Sequence, residues 1–289
     1  MAWQIRIAVL PNRVRIRVVP CGRDVRLARF RAVLLAAHRA RGYREALESA
    51  GLASPESITR LRSIEDILPK LPCLSQAEFR AAPSEFHNPT APAPKLQRLW
   101  RHTPTPVRTA VLAPHFEENA LVRVFDPGSA QEIRRFDPEV IAAPLELLIE
   151  LAEKARRGIP SIPTPGRAII ALTRLEYCAL PESARDLLWR TFEVPVFEQL
   201  LGADSSVLAW ECEAHEGLHT VENNVVVEQN TESQLIVTSL TDRRRPVLRL
   251  VTGFTGTLEA EACGCGHPGL RLTGLATPAV ESAAAARGA

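Results

Sequence analysis

The chain has 289 residues, 46% of them apolar and 24% charged, which is enough to bury one large core or two modest ones. Its longest apolar runs, such as residues 32–37, fall far short of the ~20 residues that cross a bilayer. The first twenty residues also lack the apolar block and cleavage site of a secretory signal, so a soluble cytoplasmic protein without a membrane partner is expected. A net charge of +2 excludes electrostatic binding of nucleic acid over the whole surface. The exception is local: residues 1–41 hold ten Arg against the single acid Asp24, which reads as a solvated basic face, and RNA contact there would rest on charge alone.

In chain order, residues 3–9 and 14–18 alternate apolar and polar side chains around Pro11-Asn12, the pattern of a two-strand hairpin in a basic segment, residues 1–23. A helical region with a connector follows over 24–106. Phe30, Val33, Leu34 and Ala37 recur at helical spacing up to Gly42, and a second short helix over 43–50 stops at Gly51. Ser63 with Asp66 and Ser75 with Glu78 have the spacing of N-terminal caps. From Asn88 to Pro106 no period holds and five Pro read as an extended connector, with strands expected at 107–112 and 120–125.

Residues 107–202 read as an α/β core. Pro138 and Pro144 mark the start of a helix expected to run to Arg157, with Leu145, Leu148, Ile149 and Ala152 on its apolar face and Gly158 at its C-cap. A buried strand at 168–172, a helix at 182–191 and a strand at 194–197 complete the alternation. Residues 203–275 read as a β-rich subdomain with strands at 207–210, 225–228, 235–240, 247–251 and 255–258. The Ala-rich end, 276–289, has no apolar face and is expected to be disordered. Trp189 and Trp210 are expected to pack in the core or at its rim, and His115, Glu117 and Glu118 to be exposed loop residues.

The β-rich part also concentrates the metal-binding chemistry. Cys212 precedes His219 by seven residues, and Cys263 and Cys265 share the turn Cys263-Gly264-Cys265-Gly266. Three thiols and an imidazole suit four-coordinate zinc, and the Gly residues let the backbone bring two close sulfurs to one ion. A set ligated wholly by protein leaves no open position, so the zinc is read as structural. His215, three residues after Cys212, and His267 are rival ligands. Cys21, Cys73 and Cys178 are scattered, and the absence of a signal argues against a disulfide framework.

The same residues carry a family resemblance. Glu211-Cys212, Gly217-Leu218-His219, Val237-Thr238-Ser239-Leu240, Arg249 with Thr252-Gly253, and the Cys263 to Gly266 turn together resemble the distal part of phenylacetate-CoA ligases and coenzyme F390 synthetases. Residues 30–52, 63–79, 137–151 and 194–202 are similar to successive earlier segments of that family, so the resemblance runs from about Asp24 to Leu275. It implies an α/β fold: a shortened large domain of the adenylate-forming, AMP-binding fold with a β-rich zinc-bearing subdomain. It also implies zinc on Cys212, His219, Cys263 and Cys265, since the family's distal cysteines and histidine are associated with bound zinc.

The family activates a carboxylate with ATP and transfers the acyl group to CoA, and this sequence departs from it where ATP would bind. That chemistry needs a Gly/Ser/Thr-rich phosphate loop and an acid for magnesium, yet residues 87–106 contain no Gly. The Tyr-Gly-x-Thr-Glu motif is met by Leu201-Gly202-Ala203-Asp204-Ser205, which retains the Gly and lacks the Glu. In the Arg-x-x-Thr-Gly-Asp motif, Arg249, Thr252 and Gly253 remain, but Phe254 stands where an acid would grip the ribose, and a phenyl ring accepts no such hydrogen bond. The sequence ends near where the family's small lysine-bearing domain would begin. ATP with magnesium is therefore not expected as a cofactor. Gly202, Arg249, Thr252 and Gly253 are what remains of a ligand-binding cleft. The expectation is a pseudoenzyme acting as a binding or accessory protein toward a companion protein or an acyl/CoA-like small molecule. The alternative is an acyl- or aryl-CoA ligase with altered chemistry, or one whose site a partner completes, Arg249 being the residue able to hold phosphate or carboxylate.

Overall fold

In a computed structural model, all residues are described except 1–2, 11–12, 21, 93–94, 100–106, 160–161, 176–178 and 277–289. The expectation for the tail therefore lies outside the described residues beyond Ala276, as do Cys21 and Cys178. Strands β1 (Trp3–Leu10) and β2 (Arg13–Pro20) pair antiparallel as the alternation predicts, with Ile5 opposite Val18. Helices α1 (Gly22–Ala37), α2 (Arg44–Ser49) and α3 (Pro55–Thr59) follow. The first helix ends at Ala37, short of Gly42, and a 3-10 turn over Arg41–Tyr43 bridges to the second. The periodicity did not announce α3, whose five residues span little more than one turn. Ser54 caps it and Pro55 opens it, a position where a missing N–H costs nothing.

After the short strand β3 (Leu74–Ser75), helix α4 (Gln76–Ala81) carries a complete capping box, with the Ser75 hydroxyl on the Glu78 amide and the Glu78 carboxylate on the Ser75 amide. The Ser63 cap is also made, but to a turn and a 3-10 segment rather than to an α-helix. These helices bury Phe30, Leu34, Leu47, Ile58 and Phe79 in one cluster, which Val247, Leu248 and Leu250 of the distal part close from the other side.

Strands β4 (Thr109–Val111) and β5 (Val122–Val124), helix α5 (Ala130–Phe136), strand β6 (Val140–Pro144), helix α6 (Leu145–Arg156), strand β7 (Ala168–Arg174), helix α7 (Glu182–Phe192) and strand β8 (Val196–Leu201) form the α/β half. All neighbouring pairs among its strands, in the order β5-β4-β6-β7-β8, are parallel. The helix expected from Pro138 is corrected here. Residues 140–144 are a strand, because Ile141 and Ala143 face the helix-side cluster while Val140 and Ala142 face the opposite one. A strand buried on both faces shows an unbroken apolar run, with no alternation to distinguish it from a helix.

The remaining strands are β9 (Val207–Glu211), β10 (Leu218–Thr220), β11 (Val225–Gln229), β12 (Gln234–Ser239), β13 (Leu250–Glu259) and β14 (Arg271–Ala276). They continue the same 12-stranded sheet in the order β8-β9-β10-β14-β13-β12-β11, now antiparallel, while β3 adds a parallel pairing to β13. The strands expected at 247–251 and 255–258 are one ten-residue strand. Its register against β12 slips between Ile236↔Val251 and Gln234↔Thr255, so Thr252-Gly253 is a bulge within a ladder, not a turn between two strands. Among the described residues, no helix is long and apolar enough to cross a membrane.

Candidate metal centre

Strand alternation builds the centre. Trp210 and Cys212 lie two residues apart and so project to one face, and His219 of β10 stands opposite Trp210 on one side and opposite Arg271 of β14 on the other. His219 stacks on Trp210, with ring centroids 5.0 Å apart. The close approach of β10 to β14 depends on Gly217, whose φ is +104° and where a Cβ would stand 2.5 Å from the Leu272 carbonyl oxygen. Across from these strands, the turn from Cys263 to Gly266 closes with the Gly266 amide donating to the Cys263 carbonyl at 2.9 Å. The Glu216 carboxylate accepts from the Gly264 amide at 3.2 Å and from Arg271 at 2.9 Å, fixing that turn to the sheet.

The result brings Cys212, His219, Cys263 and Cys265 together, with one donor atom of each within 4.8 Å of the others. Cys212 Sγ and Cys263 Sγ are 3.6 Å apart, and Cys265 Sγ lies 3.4 Å from His219 Nε2. A tetrahedral ion with metal–sulfur bonds of about 2.3 Å and a metal–nitrogen bond of about 2.0 Å sets its sulfurs about 3.8 Å apart and sulfur from nitrogen about 3.5 Å apart. The two measured separations are therefore those of edges of a tetrahedron, and 3.6 Å is far from a disulfide. Cys212, Cys263 and His219 are buried and Cys265 is exposed. Burial pushes the Cys212 thiol up to about 12, a cost that an ion binding the thiolate would offset. Burial, then nearby His267 and Arg271, holds the His219 imidazole below its usual range and hence neutral, the form that ligates. Its Nδ1 is buried without a hydrogen-bond partner. This group has the donors to bind a metal such as zinc.

The rival histidines take other places. His215 Nδ1 lies 2.9 Å from Glu211 Oε1 and its ring stacks on Phe197. His267 packs edge-on to His219 at 5.0 Å, beside the donor group rather than in it. Sequence reasoning missed the roles of Trp210, Glu216 and Arg271, which act on the centre only through strand register. Trp189, expected at the core or rim, is 57% exposed. Glu117 and Glu118, expected in a loop, bind Arg98 and the Val124 amide respectively.

Of the four residues read as the remnant of a ligand cleft, Gly202 lies between β8 and β9, Arg249 directly precedes β13, and Thr252 and Gly253 lie on it. Gly202 opens the β8–β9 turn, where Asp204 Oδ1 accepts from the Ser206 amide and hydroxyl at 3.1 and 2.6 Å. Arg249 sits at φ +46° with its guanidinium on Glu228 at 3.1 Å and on the Leu71 carbonyl. The Thr252 hydroxyl donates to the Leu235 carbonyl at 2.9 Å, and Gly253 occupies the bulge at φ +76°. Phe254 is 3% exposed in an apolar cluster with Leu175, Leu200, Leu208, Leu235 and Leu272, where the residual cavity is about 10 Å³.

A buried carboxylate beside this turn gives a pH test. Asp242 caps its turn through Oδ1 to the Arg244 and Arg245 amides, and burial, opposed by those bonds and reinforced by Asp204, raises its pKa from 3.8 to about 6. The folded chain thus keeps between pH ~4 and ~6 a proton that the unfolded chain releases, so the carboxylate costs stability as pH rises through that window, by up to about 3 kcal/mol at neutral pH. Asp242→Asn retains the acceptor and removes the charge. Denaturant titrations should find the variant more stable than the parent at pH 7.5 and equal to it near pH 4. A gap that does not change with pH would contradict this account.

No family model matches the sequence, and no curated protein matches it. The mixed sheet, five parallel strands running into an antiparallel half with helices on the parallel part, is similar in fold to solved acyl-CoA ligases. The solved structures similar to it include 2-hydroxyisobutyryl-CoA ligase in the postadenylation state in complex with R3-HIB-AMP, with a TM-score of 0.61 at 16% identity over 86% of this chain and 66% of that one. The open conformation of that ligase in complex with 2-HIB-AMP and CoA gives 0.59 at 16% identity, over 85% of this chain and 72% of that one. Its thioesterification state gives 0.60 at 15% identity, over 89% and 69%. At such identity the likeness is one of fold.

Proposed function

We propose that this chain is a degenerate acyl-CoA ligase, of the phenylacetate-CoA ligase type, that does not adenylate on its own and serves as a binding or accessory protein held together by structural zinc. The observation that carries the reading is Phe254. Where the family's motif has the acid for the ribose hydroxyls, this chain has a phenyl ring packed in a closed apolar cluster. No rotation of that ring provides a hydrogen-bond acceptor. The neighbouring polar groups are committed to the protein itself, Asp204 to its own turn, Arg249 to Glu228 and Leu71, and Thr252 to Leu235. Phosphoryl chemistry depends on several groups placed together around the transferred charge, and these positions do not supply them.

Zinc on Cys212, His219, Cys263 and Cys265 would be saturated by protein and would act as a staple between β9, β10 and the 263–266 turn. With three thiolates on Zn²⁺ the centre carries one net negative charge, and buried Arg271 beside Cys263 offsets it. A companion ligase or carrier is the partner this reading anticipates. The test is carboxylate-dependent exchange of pyrophosphate into ATP by the full chain with magnesium and a panel of aryl and alkyl carboxylates, with calorimetry of ATP on the same sample. Neither exchange nor ATP binding is expected. Exchange above the no-enzyme rate with any carboxylate would sink the reading.

A further inference from the structure

The three sulfur donors of the metal centre differ in what they meet. Cys212 and Cys263 are 3% and 5% exposed and pack in one cluster with Phe197 and Trp210, whereas Cys265 lies at the surface. The turn over residues 263–266 separates the last two: Cys263 is buried against the sheet, and beyond Gly264 Cys265 closes the centre from outside. Neutralisation is as uneven as burial. Arg271, itself buried and held by Glu216 and Glu259, lies beside Cys263, while Cys265 Sγ meets neutral groups, the His267 amide at 3.3 Å and the His219 imidazole at 3.4 Å. Thiolates oxidise according to their anionic character and their access to solvent, and the product goes on to a disulfide where a second thiol stands next to the first. Here two do, since Cys212 and Cys263 each have their sulfur within 4.8 Å of that of Cys265. Cys73 is also exposed, but it belongs to no such group among the described residues.

We infer that Cys265 is a modification site for hydroperoxides, through which oxidation reversibly opens the zinc clasp. The Cys265 thiolate attacks one peroxide oxygen; the S–O bond forms, the O–O bond breaks and hydroxide leaves, giving a sulfenic acid. The Cys212 or Cys263 thiolate then attacks that sulfur, the S–S bond forms, the S–O bond breaks and a second hydroxide leaves. The two sulfurs together lose two electrons to the peroxide, and two protons from solvent turn the two hydroxides, in the case of hydrogen peroxide, into water. One thiolate and His219 remain, too few donors to hold zinc. The Glu216 bonds to the Gly264 amide and to Arg271 are independent of the ion, so the turn stays on the sheet and the centre can be rebuilt on reduction. The inference rests on the zinc clasp and goes beyond the accessory reading, because it makes the clasp respond to an oxidant.

The experiment exposes the full, zinc-loaded chain to hydrogen peroxide, following zinc release with a chromogenic chelator while thiol alkylation and mass spectrometry locate the oxidised cysteines. About one zinc per disulfide is expected, with Cys265 in that disulfide, and dithiothreitol with added zinc should return the starting metal content. Cys265→His keeps four zinc donors and removes the surface sulfur, so it should load zinc and release it to peroxide at least about tenfold more slowly. Cys73→Ser should release zinc like the parent. A loaded parent that keeps its metal in peroxide, or a Cys265→His variant that loses zinc as fast as the parent, would overturn the proposal. The alkylation map of the parent decides independently of that variant's folding: oxidised Cys212 and Cys263 beside a reduced Cys265 would overturn it too. These outcomes leave the clasp itself in place, whereas a chain without zinc before oxidation would remove the clasp and this inference together.

Discussion

Cys212→Ser and Cys263→Ser should each abolish metal binding and lower the melting temperature by roughly 10 °C, the effect of losing about 4 kcal/mol in a domain of this size. Native protein should carry about one zinc per chain by mass spectrometry, as the four-donor set implies. The size of the effect follows from what the ion joins. Cys212 follows β9, His219 lies on β10, and Cys263 and Cys265 lie about fifty residues further on, so the ion closes a long loop whose entropy is otherwise lost only on folding. Cys212 and Cys263 are buried in the same cluster as Phe197 and Trp210, and empty thiols or serines there leave polar groups without partners. Exposed Cys73, by contrast, can be changed to Ser without effect on either measurement. His215→Ala and His267→Ala should keep the metal, since neither residue belongs to the donor group. Native protein free of zinc, or a Cys263→Ser variant that melts with the parent, would remove the staple from this account.

The second large effect is expected at Phe254. Placing an acid in this cluster by Phe254→Asp should not create nucleotide binding; it should cost about 4 kcal/mol or more, because truncating a buried Phe alone costs ~3–5 kcal/mol and a carboxylate in that place has no partner. The environment decides the outcome: Leu175, Leu200, Leu208, Leu235 and Leu272 surround the ring, and the remaining cavity has no room for a hydrated charge. Phe254→Leu, which keeps most of the apolar volume, should lose far less. Urea midpoints for the two variants separate the effects, and a Phe254→Asp protein as stable as the parent that binds ATP would mean that an intact nucleotide pocket lies behind the ring.

Different parts of the molecule were legible to different degrees. The Ser75–Glu78 capping box and the β1–β2 hairpin depend on residues within a few positions of one another, and local chemistry suffices to read them. Helix α7 could be placed for a similar reason, since its apolar face repeats at helical spacing and it is eleven residues long. Strand β6 was misread as the start of a helix because burial on both faces erases the alternation that marks a strand. Strands β10 and β14 went unread because one has three residues and the other mixes Arg, Thr and Gly. They are strands through pairing with each other and with β9 and β13, partners far away in the chain.

By itself, the sequence determined which donors the chain possesses and how they cluster: three cysteines and a histidine in its distal third. Side-chain identity is a property of the chain, and it limits the available chemistry before any folding. Only the tertiary structure decided which histidine joins the cysteines, because register across β9, β10 and β14 sets His219 beside Trp210 and leaves His215 on Glu211. It also decided that Arg249 is held by Glu228 and Leu71. These are distances between residues tens to hundreds of positions apart, set by the packing of the whole sheet against its helices rather than by local propensity.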